Sequence, residues 1–219
     1  MKILYTDPDL IIIDKPPGLA DPASELTKQF PELLKVGGKD RGACHRLDVG
    51  TSGLLVFARN EETYQKMREA FSKNKVEKEY HALIQGIIAK EGKIDWPIGP
   101  DPKSAKRVKV YKNLKEARRN KAQEALTSYK PFIMKRVAGG QAPDPQPPVP
   151  STLLCVKIKT GRRHQIRAHL AVIGHPIVGD TLYKGPPADR LYLHASQLEF
   201  DHPKNGRRIS VVSTTPFGA

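Results

Sequence analysis

The chain has 219 residues, enough for one large domain or two small ones around a substantial core. Hydrophobic residues make up 38%, and no run approaches the roughly 18 apolar residues of a membrane helix, which sets aside a helical membrane protein. Lys and Arg total 37 against 23 Asp and Glu, a net charge of +14. Solubility needs only about 2 to 8 in a small domain, so an excess of this size and sign points to a polyanionic partner. Nucleic acid fits better than a membrane surface, because no basic amphipathic helix with a bulky apolar face is present.

The first stretch, "KILYTDPDLIIIDKPPG", predicts two short strands around an Asp7-Pro8-Asp9 turn, stopped by Pro16, Pro17 and Gly18. The same turn breaks the N-terminus too early for a signal peptide, so a cytoplasmic protein is expected. "LLVFA" (54–58) suits a buried strand. Asn60 is placed to cap a helix in which Tyr64, Met67 and Phe71 recur at helical spacing. "EKEYHALIQG" follows as a strand with Tyr80, Ala82 and Ile84 on one face.

The strongly basic segment 97–121 predicts a projecting hairpin or loop, followed by a strand over "AQEALTSYKPF". The Gly/Pro tract 137–150 predicts a surface loop. "LLCVKIKT" resumes strand alternation, with Leu154, Val156 and Ile158 inward. "RRHQIRAHLAVIG" then predicts a helix with an Ile166, Leu170, Ile173 stripe and Gly174 as its stop; Arg163 and Arg167 would form one basic stripe on it. After a loop, "RLYLHASQLEF" and "RRISVVS" read as closing strands. Many strands with two clear helices and no regular βαβ alternation predict an α+β fold with a mainly antiparallel mixed sheet and flanking helices.

Metal-ligand spacing is missing: there is no CxxC and no HExxH, and His164 and His169, five apart, face different sides of a helix. Cys44 and His45 are neighbours on an extended segment and point apart, so they do not form a nucleophilic pair. The informative carboxylate is Asp48, in "HRLDVGTSG". The bland reading is a turn former ahead of a strand. Against it, Arg46 places a cation two residues away, Gly50 and Gly53 allow unusual torsions, and Thr51 and Ser52 bring hydroxyls that could orient a carboxylate. A second cluster, "TGRRHQIRAHL", offers Arg162, His164 and Gln165 as planar and polar groups suited to phosphates and base edges. Tyr80 is either a core aromatic or a ring that stacks on a base.

Four ordered stretches carry a resemblance. "LIIIDKPPGL", "HRLDVGTSGLLVFA", "KEYHALIQG" and "TGRRHQIRAHLAVIGHPIVGDTLY" with "RLYLHASQLEF" together resemble the motifs of the RluA-type RNA pseudouridine synthases, across nearly the whole chain. The resemblance implies the pseudouridine synthase fold with a central RNA-binding cleft, one catalytic domain over 1–219, and no N-terminal accessory RNA-binding domain. It implies Asp48 as the catalytic carboxylate, Tyr80 stacking on a flipped uracil, Arg167 paired with Asp48, Leu193 in the pocket and Arg46 filling the gap left by the extruded nucleotide. His45, Arg162, His164 and Gln165 join the substrate-binding set. The reaction moves a glycosidic bond from nitrogen to carbon within one nucleotide, so no metal, nucleotide or redox cofactor is implied. The expected partner is a structured rRNA or tRNA stem-loop, bound by a monomer.

Two rivals compete with this reading. A catalytically silent RNA-binding or chaperone protein would share the charge, although it would not need Asp48, Tyr80 and Arg167 together. An aspartyl phosphotransferase would use Asp14 after its apolar strand, but Lys15, Pro16 and Pro17 follow where a second acid for magnesium is wanted. Three departures from the family pattern stand out: Arg163, Lys184 between Tyr183 and Gly185, and a weak "GLADPAS" segment.

Overall fold

The computed structural model describes residues 1–132 and 150–217. The chain divides into two compact units: residues 1–79 with 194–214, and residues 80–193 with the last five residues. The elements, in chain order, are strands β1 (Lys2–Thr6) and β2 (Leu10–Lys15), helix α1 (Pro22–Thr27), β3 (Ser52–Ala58), α2 (Glu61–Ser72), β4 (Glu77–Gln85), β5 (Gly92–Ile94), β6 (Ile98–Asp101) and β7 (Ser104–Val110). Then follow α3 (Leu114–Arg119), β8 (Thr127–Pro131), β9 (Ser151–Ile158), α4 (Gln165–Val172), β10 (Leu193–Asp201) and β11 (Arg208–Val212). Short strands with few helices and mostly antiparallel pairing match the expected α+β class.

In the first unit the strands run β1-β2-β3-β10, with β11 paired to β10. The Asp-Pro-Asp turn joins β1 to β2 as predicted, and Asp7 makes it by accepting from the N–H groups of Asp9 and Leu10, both at 2.7 Å. Strand β2 pairs antiparallel with β3 from Leu10 opposite Ala58 to Lys15 opposite Gly53. All seven residues of β3 are buried, which is why its sequence is continuously apolar after Gly53. Beside β2 and β3, Leu26 of α1 and Leu33 close a core around Ile11, Ile13, Leu55 and Phe57. Helix α2 has the predicted Asn60 cap, whose side chain accepts from the N–H of Thr63, and it buries Tyr64 and Met67.

In the second unit the strands run β4-β9-β8-β5, and β6 and β7 form a separate hairpin within the basic segment. Strand β4 alternates as expected, with Tyr80, Ala82 and Ile84 buried. Helix α4 packs against β7 and β8. Its His169 is fully buried, with one ring nitrogen 2.9 Å from the Thr127 hydroxyl and the other 2.9 Å from the Trp96 carbonyl. Burial holds this imidazole below its ordinary pKa; it is a core histidine.

Five expectations need correction or limits. Two further helices, α1 and α3, have six residues each, too short to show a period, yet each has a cap: Asp21 accepts from the N–H of Ser24, and Asn113 from Lys115 and Glu116. The strand expected from 122 onward begins only at Thr127. Strand β9 is buried on both sides over Leu153–Val156, not on the Leu154 and Val156 face alone. Finally, α4 starts at Gln165, after His164 in the left-handed region at φ 52°. Arg163 therefore precedes the helix and shares no stripe with Arg167. The surface-loop reading of 137–150 lies, up to residue 149, outside the described residues. No helix among those described is long and apolar enough to cross a membrane.

Candidate active site

Asp48 lies in the first unit, in the turn that leads into β3. Its carbonyl accepts from the N–H of Thr51 at 3.0 Å, and its side chain is half-buried between exposed Arg46 and exposed Val49. What holds this turn is a residue the sequence reading passed over. Lys15, only 1% exposed, sends its ammonium to the carbonyls of Pro16 (2.9 Å), Leu19 (3.3 Å) and Val49 (3.0 Å). An ammonium has three protons, and three backbone carbonyls around it weld the turn after β2 to the residue following Asp48. The Gly18 N–H adds a second bond to the Val49 carbonyl, at 2.9 Å.

The other side of the turn is fixed by a parallel pairing. His194 and Ala195 of β10 lie opposite Ser52 and Gly53 of β3. Gly53 sits at φ +108°, and a Cβ there would come within 2.3 Å of the Ala195 carbonyl oxygen, so only glycine fits. His194, 1% exposed, links Ser52 Oγ (2.9 Å from Nδ1) to Ser213 Oγ (3.0 Å from Nε2), and Ser213 donates to Asp14 Oδ2 at 2.8 Å. The proton directions follow. Ser213 spends its proton on the carboxylate, so it accepts from Nε2–H, and Nδ1 accepts from Ser52. His194 is thus one partner of the Ser52 hydroxyl. The Asp14 carboxylate ends this chain of bonds.

His45 is half-buried, stacked on Phe71 of α2 with ring centroids 4.4 Å apart, and its Nε2 accepts from the Val56 N–H at 3.2 Å. Burial, with the charges of Lys78 and Arg68 behind it, pushes its pKa down to about 3. Between that value and the unfolded value near 6.5, the unfolded chain binds the extra proton. Stability is therefore fully present above about pH 6.5 and is lost as pH falls toward 3. His45→Gln is expected to flatten this loss between pH 6.5 and 4, leaving the share due to His169. An unchanged slope in urea unfolding across that window would mean the ring is not held neutral. Cys44 is fully buried, donates to the Gly42 carbonyl at 3.5 Å, and has its pKa pushed up to about 12 by burial, so it offers no thiolate.

The second unit holds Tyr80, Arg167 and Leu193. Tyr80 is 7% and Leu193 4% exposed. Arg167 is gripped by Asp180: its Nε and Nη2 donate to the two carboxylate oxygens at 2.7 and 2.8 Å. The Asp180 side chain is fully buried and that of Arg167 is 11% exposed. Such a side-on, two-point bond fixes the plane of the guanidinium as well as its position. The loop carrying Asp180 is wound so tightly that a Cβ at Gly179 would fall 1.7 Å from the Arg190 carbonyl oxygen, and one at Gly185 2.0 Å from that of Ile177. Arg167 also stacks over Tyr183, 5.4 Å from its ring centre. Tyr183 in turn accepts from the Val108 N–H at 3.0 Å and lies 3.1 Å from His164 Nδ1, so the basic hairpin leans on the same residues. Asp180 and Tyr183 were missed because the sequence shows them only as a loop. The Gly on the N-terminal side of Asp180 was the available signal.

The remaining predicted residues have other neighbours. Gln165 is 3% exposed; its amide donates to the Leu126 carbonyl and Thr127 hydroxyl and accepts from the Thr160 hydroxyl and Arg162 N–H. Arg162 is exposed and donates to the Glu124 carbonyl at 3.0 Å. Arg163 clasps the hairpin, donating to the carbonyls of Ala105 and Lys106. Three ligand-type side chains, Asp7, Asp9 and His202, come within 4.8 Å of one another in the first unit. Each already has protein partners: His202 with Asp7 at 3.0 Å, Tyr5 donating to Asp7 at 2.6 Å, Asn60 donating to Asp9 at 2.9 Å. They clamp the β1–β2 turn.

An ordered set of RNA-enzyme motifs on an α+β scaffold defines an RNA-modifying isomerase. The family described as RNA pseudouridylate synthase matches residues 9–172, and the chain belongs to that family. It is an RNA pseudouridine synthase, of the RluA type that its motifs resemble. An uncharacterized RNA pseudouridine synthase of Mycobacterium bovis is 36% identical over 99% of this chain and 70% of its own length. The tRNA pseudouridine synthase C of Vibrio parahaemolyticus is 35% identical over 93% of this chain and 85% of its own. The ribosomal large subunit pseudouridine synthase D of Nitrosomonas europaea is 35% identical over 99% of this chain and 62% of its own. Among solved structures, human RNA pseudouridylate synthase domain containing 1 superposes with a TM-score of 0.76 and 25% identity, over 99% of this chain and 84% of that one.

Proposed function

We infer that the chain converts specific uridines of structured rRNA or tRNA stem-loops into pseudouridine, with Asp48 as the catalytic carboxylate. The observation that carries this is the Asp48 turn itself. A half-buried carboxylate in a turn clamped by buried Lys15 and bordered by the β3–β10 pairing is built to stay in place, which a mere turn former does not require. Relatives named for tRNA and for large-subunit rRNA, both near 35% identity, support either RNA class.

The chemistry sets the division of labour. The bond from the ribose C1′ to N1 of uracil breaks, the detached base turns within the pocket, and C1′ bonds to C5, whose proton leaves as N1 gains one. No group enters or departs, so the residues need only a carboxylate, a stacking surface and fixed charge. Asp48 belongs to the first unit, and Tyr80, Leu193 and Arg167 belong to the second. Exposed Arg46, Arg162 and half-buried His164 are the groups offered to RNA, whereas buried Gln165 and ring-stacked His45 act by shaping the backbone around them. Substrate choice falls to the hairpin of β6 and β7. The protein works as a metal-free monomer in the cytoplasm, where it meets rRNA and tRNA.

The direct test compares pseudouridine maps of RNA from cells with and without the protein, then repeats the modification with purified enzyme and the RNA so identified. One or a few uridines should lose modification in its absence and regain it in vitro. Identical maps, with no turnover on any cellular RNA, would refute the assignment.

Arg46 gives a sharper expectation. A flipped uridine costs a few kcal/mol of stacking, and a planar cation entering the gap can offset part of it. Arg46→Ala should slow turnover about tenfold or more on a stacked stem-loop and less on a short unstructured RNA, and Lys should rescue poorly. Equal losses on both RNAs, or full rescue by Lys, would exclude extrusion as its role.

A further inference from the structure

Arg163 stands outside the catalytic and RNA-facing groups, yet it joins two parts of the second unit. Its Nη1 donates to the Ala105 carbonyl at 3.2 Å and its Nη2 to the Lys106 carbonyl at 2.8 Å. Both carbonyls belong to β7, at the place where the hairpin register breaks. Ser104 lies opposite Asp101 and Val108 opposite Pro100, so residues 105–107 fall between successive partners on β6. A bulge of this kind disrupts the ladder and bends its strand. The planar guanidinium, with donors on two nitrogens, meets two of the bulge carbonyls at once.

The backbone aims Arg163 at the hairpin. The Gln165 N–H donates to the Arg162 carbonyl at 3.1 Å, and His164 between them sits at φ 52°, a left-handed conformation that side-chain-bearing residues rarely adopt. In a continuous helix Arg163 would stand one turn before Arg167 on the same face. The left-handed turn takes it off the helix and onto β7. His164 adds to the hold through Tyr183, whose hydroxyl lies 3.1 Å from its Nδ1 and accepts from the Val108 N–H at 3.0 Å.

The base of the hairpin has its own holds. Ile98 and Gln123 exchange both backbone bonds, at 2.9 and 2.8 Å, and the Tyr111 N–H donates to the Pro97 carbonyl at 2.8 Å. At the far end Arg107 pairs with Asp101 at 2.9 Å, a bond inside the hairpin itself. A two-stranded hairpin is marginal in water on its own, so a tether from its tip to the turn before α4 decides how it stands. The tip exposes Lys103 and Lys106.

We propose that Arg163 is a specificity-determining positioning residue: it fixes the hairpin tip in the pose in which Lys103 and Lys106 meet the phosphate backbone of the substrate RNA. Ammonium groups on a wandering strand must be ordered when RNA binds, at a cost in affinity, and a preset strand avoids it. Phosphate contacts set the register of an RNA without reading its bases, so the pose of the tip selects RNA by shape. Arg163 acts through β7 and does not itself contact RNA. The proposal deepens the assignment of substrate choice to this hairpin and rests on RNA being the substrate.

The test compares Arg163→Ala, the pair Lys103→Gln with Lys106→Gln, all three changes together, and Arg163→Lys. Amide hydrogen exchange on the free proteins needs no RNA. Arg163→Ala should speed exchange over residues 101–108, while β8 and β9 keep wild-type protection and the unfolding temperature holds. With the RNA identified by the pseudouridine maps, Arg163→Ala and the lysine pair should each weaken binding about tenfold near 0.1 M salt. KM should rise with kcat unchanged. The triple variant should bind less than about twofold more weakly than the lysine pair, because residues acting through one another do not add. Arg163→Lys should rescue only in part, since one nitrogen replaces a fork of two. Unchanged exchange in the hairpin, losses that multiply in the triple variant, full rescue by Lys, or a fall in kcat at constant KM would each overturn the proposal. Wild-type enzyme that modifies no RNA at all would instead strike the functional reading on which it rests, while the exchange comparison would still test the clasp.

Discussion

Asp48→Asn is expected to abolish pseudouridine formation, by about 10³-fold or more, while leaving the protein folded and able to bind RNA. Amide and carboxylate have nearly the same shape, and the turn is held by main-chain groups that the change does not touch: the Asp48 carbonyl to Thr51, and the Val49 carbonyl to Lys15 and Gly18. Thermal unfolding should therefore move by no more than about 1 kcal/mol in stability, as for substitutions outside the core. What disappears is the group able to act as nucleophile or base, and acid–base work by one side chain alone is worth about 10² to 10⁴ in rate. Turnover on purified RNA, RNA affinity and unfolding temperature are measured on the same preparation. An Asn variant retaining a tenth of wild-type turnover would remove Asp48 from the chemistry. Loss of fold and activity together would make it a structural residue.

Asp180→Asn is expected to cost both stability and rate, and the two can be separated. Asp180 is fully buried, and its partner Arg167 is nearly so. Removing one member of a buried ion pair costs about 3 to 5 kcal/mol. The Asn side chain keeps one acceptor oxygen, so the guanidinium loses its second anchor and its fixed plane. An arginine displaced by about 1 Å from its working position can cost about 10² in rate. Turnover measured well below the lowered unfolding temperature, where the variant is still folded, isolates that second effect. There kcat should fall by one to two orders of magnitude with KM little changed, because the residue acts through Arg167 and does not touch RNA. A folded Asn variant with kcat within twofold of wild type would show that Asp180 serves stability only. Tyr183→Phe should have a smaller effect in the same direction, since the ring under Arg167 remains while the hydroxyl's bonds, those to Val108 and His164 among them, are lost.

Much of the scaffold can be read from neighbouring residues. The Asp7-Pro8-Asp9 turn, the Asn60 cap, the alternation of Tyr80, Ala82 and Ile84 and the Gly174 stop each depend on contacts within a few positions, and each forms as read. The start of α4 was misjudged because Arg162, Arg163 and His164 have ordinary helical propensity. The left-handed His164, tied to Tyr183 nineteen residues later, ends the turn before the helix begins. Short helices α1 and α3 escaped because six residues make less than two turns, too few to repeat an apolar face.

From the sequence alone come the family motifs, the choice of Asp48, Tyr80 and Arg167 as candidate site residues, the basic charge and the α+β class, since all of these lie in residue identity, order and local period. The tertiary structure decided what holds those residues. Lys15 reaches Val49 across 34 positions, His194 reaches Ser52 across 142, and Ser213 reaches Asp14 across 199. No local pattern announces such partners, because a bond between distant residues exists only once strand order and register are set. The parallel match of His194 and Ala195 to Ser52 and Gly53 sets that register around the Asp48 turn, and the tight winding at Gly179 and Gly185 brings Asp180 to Arg167.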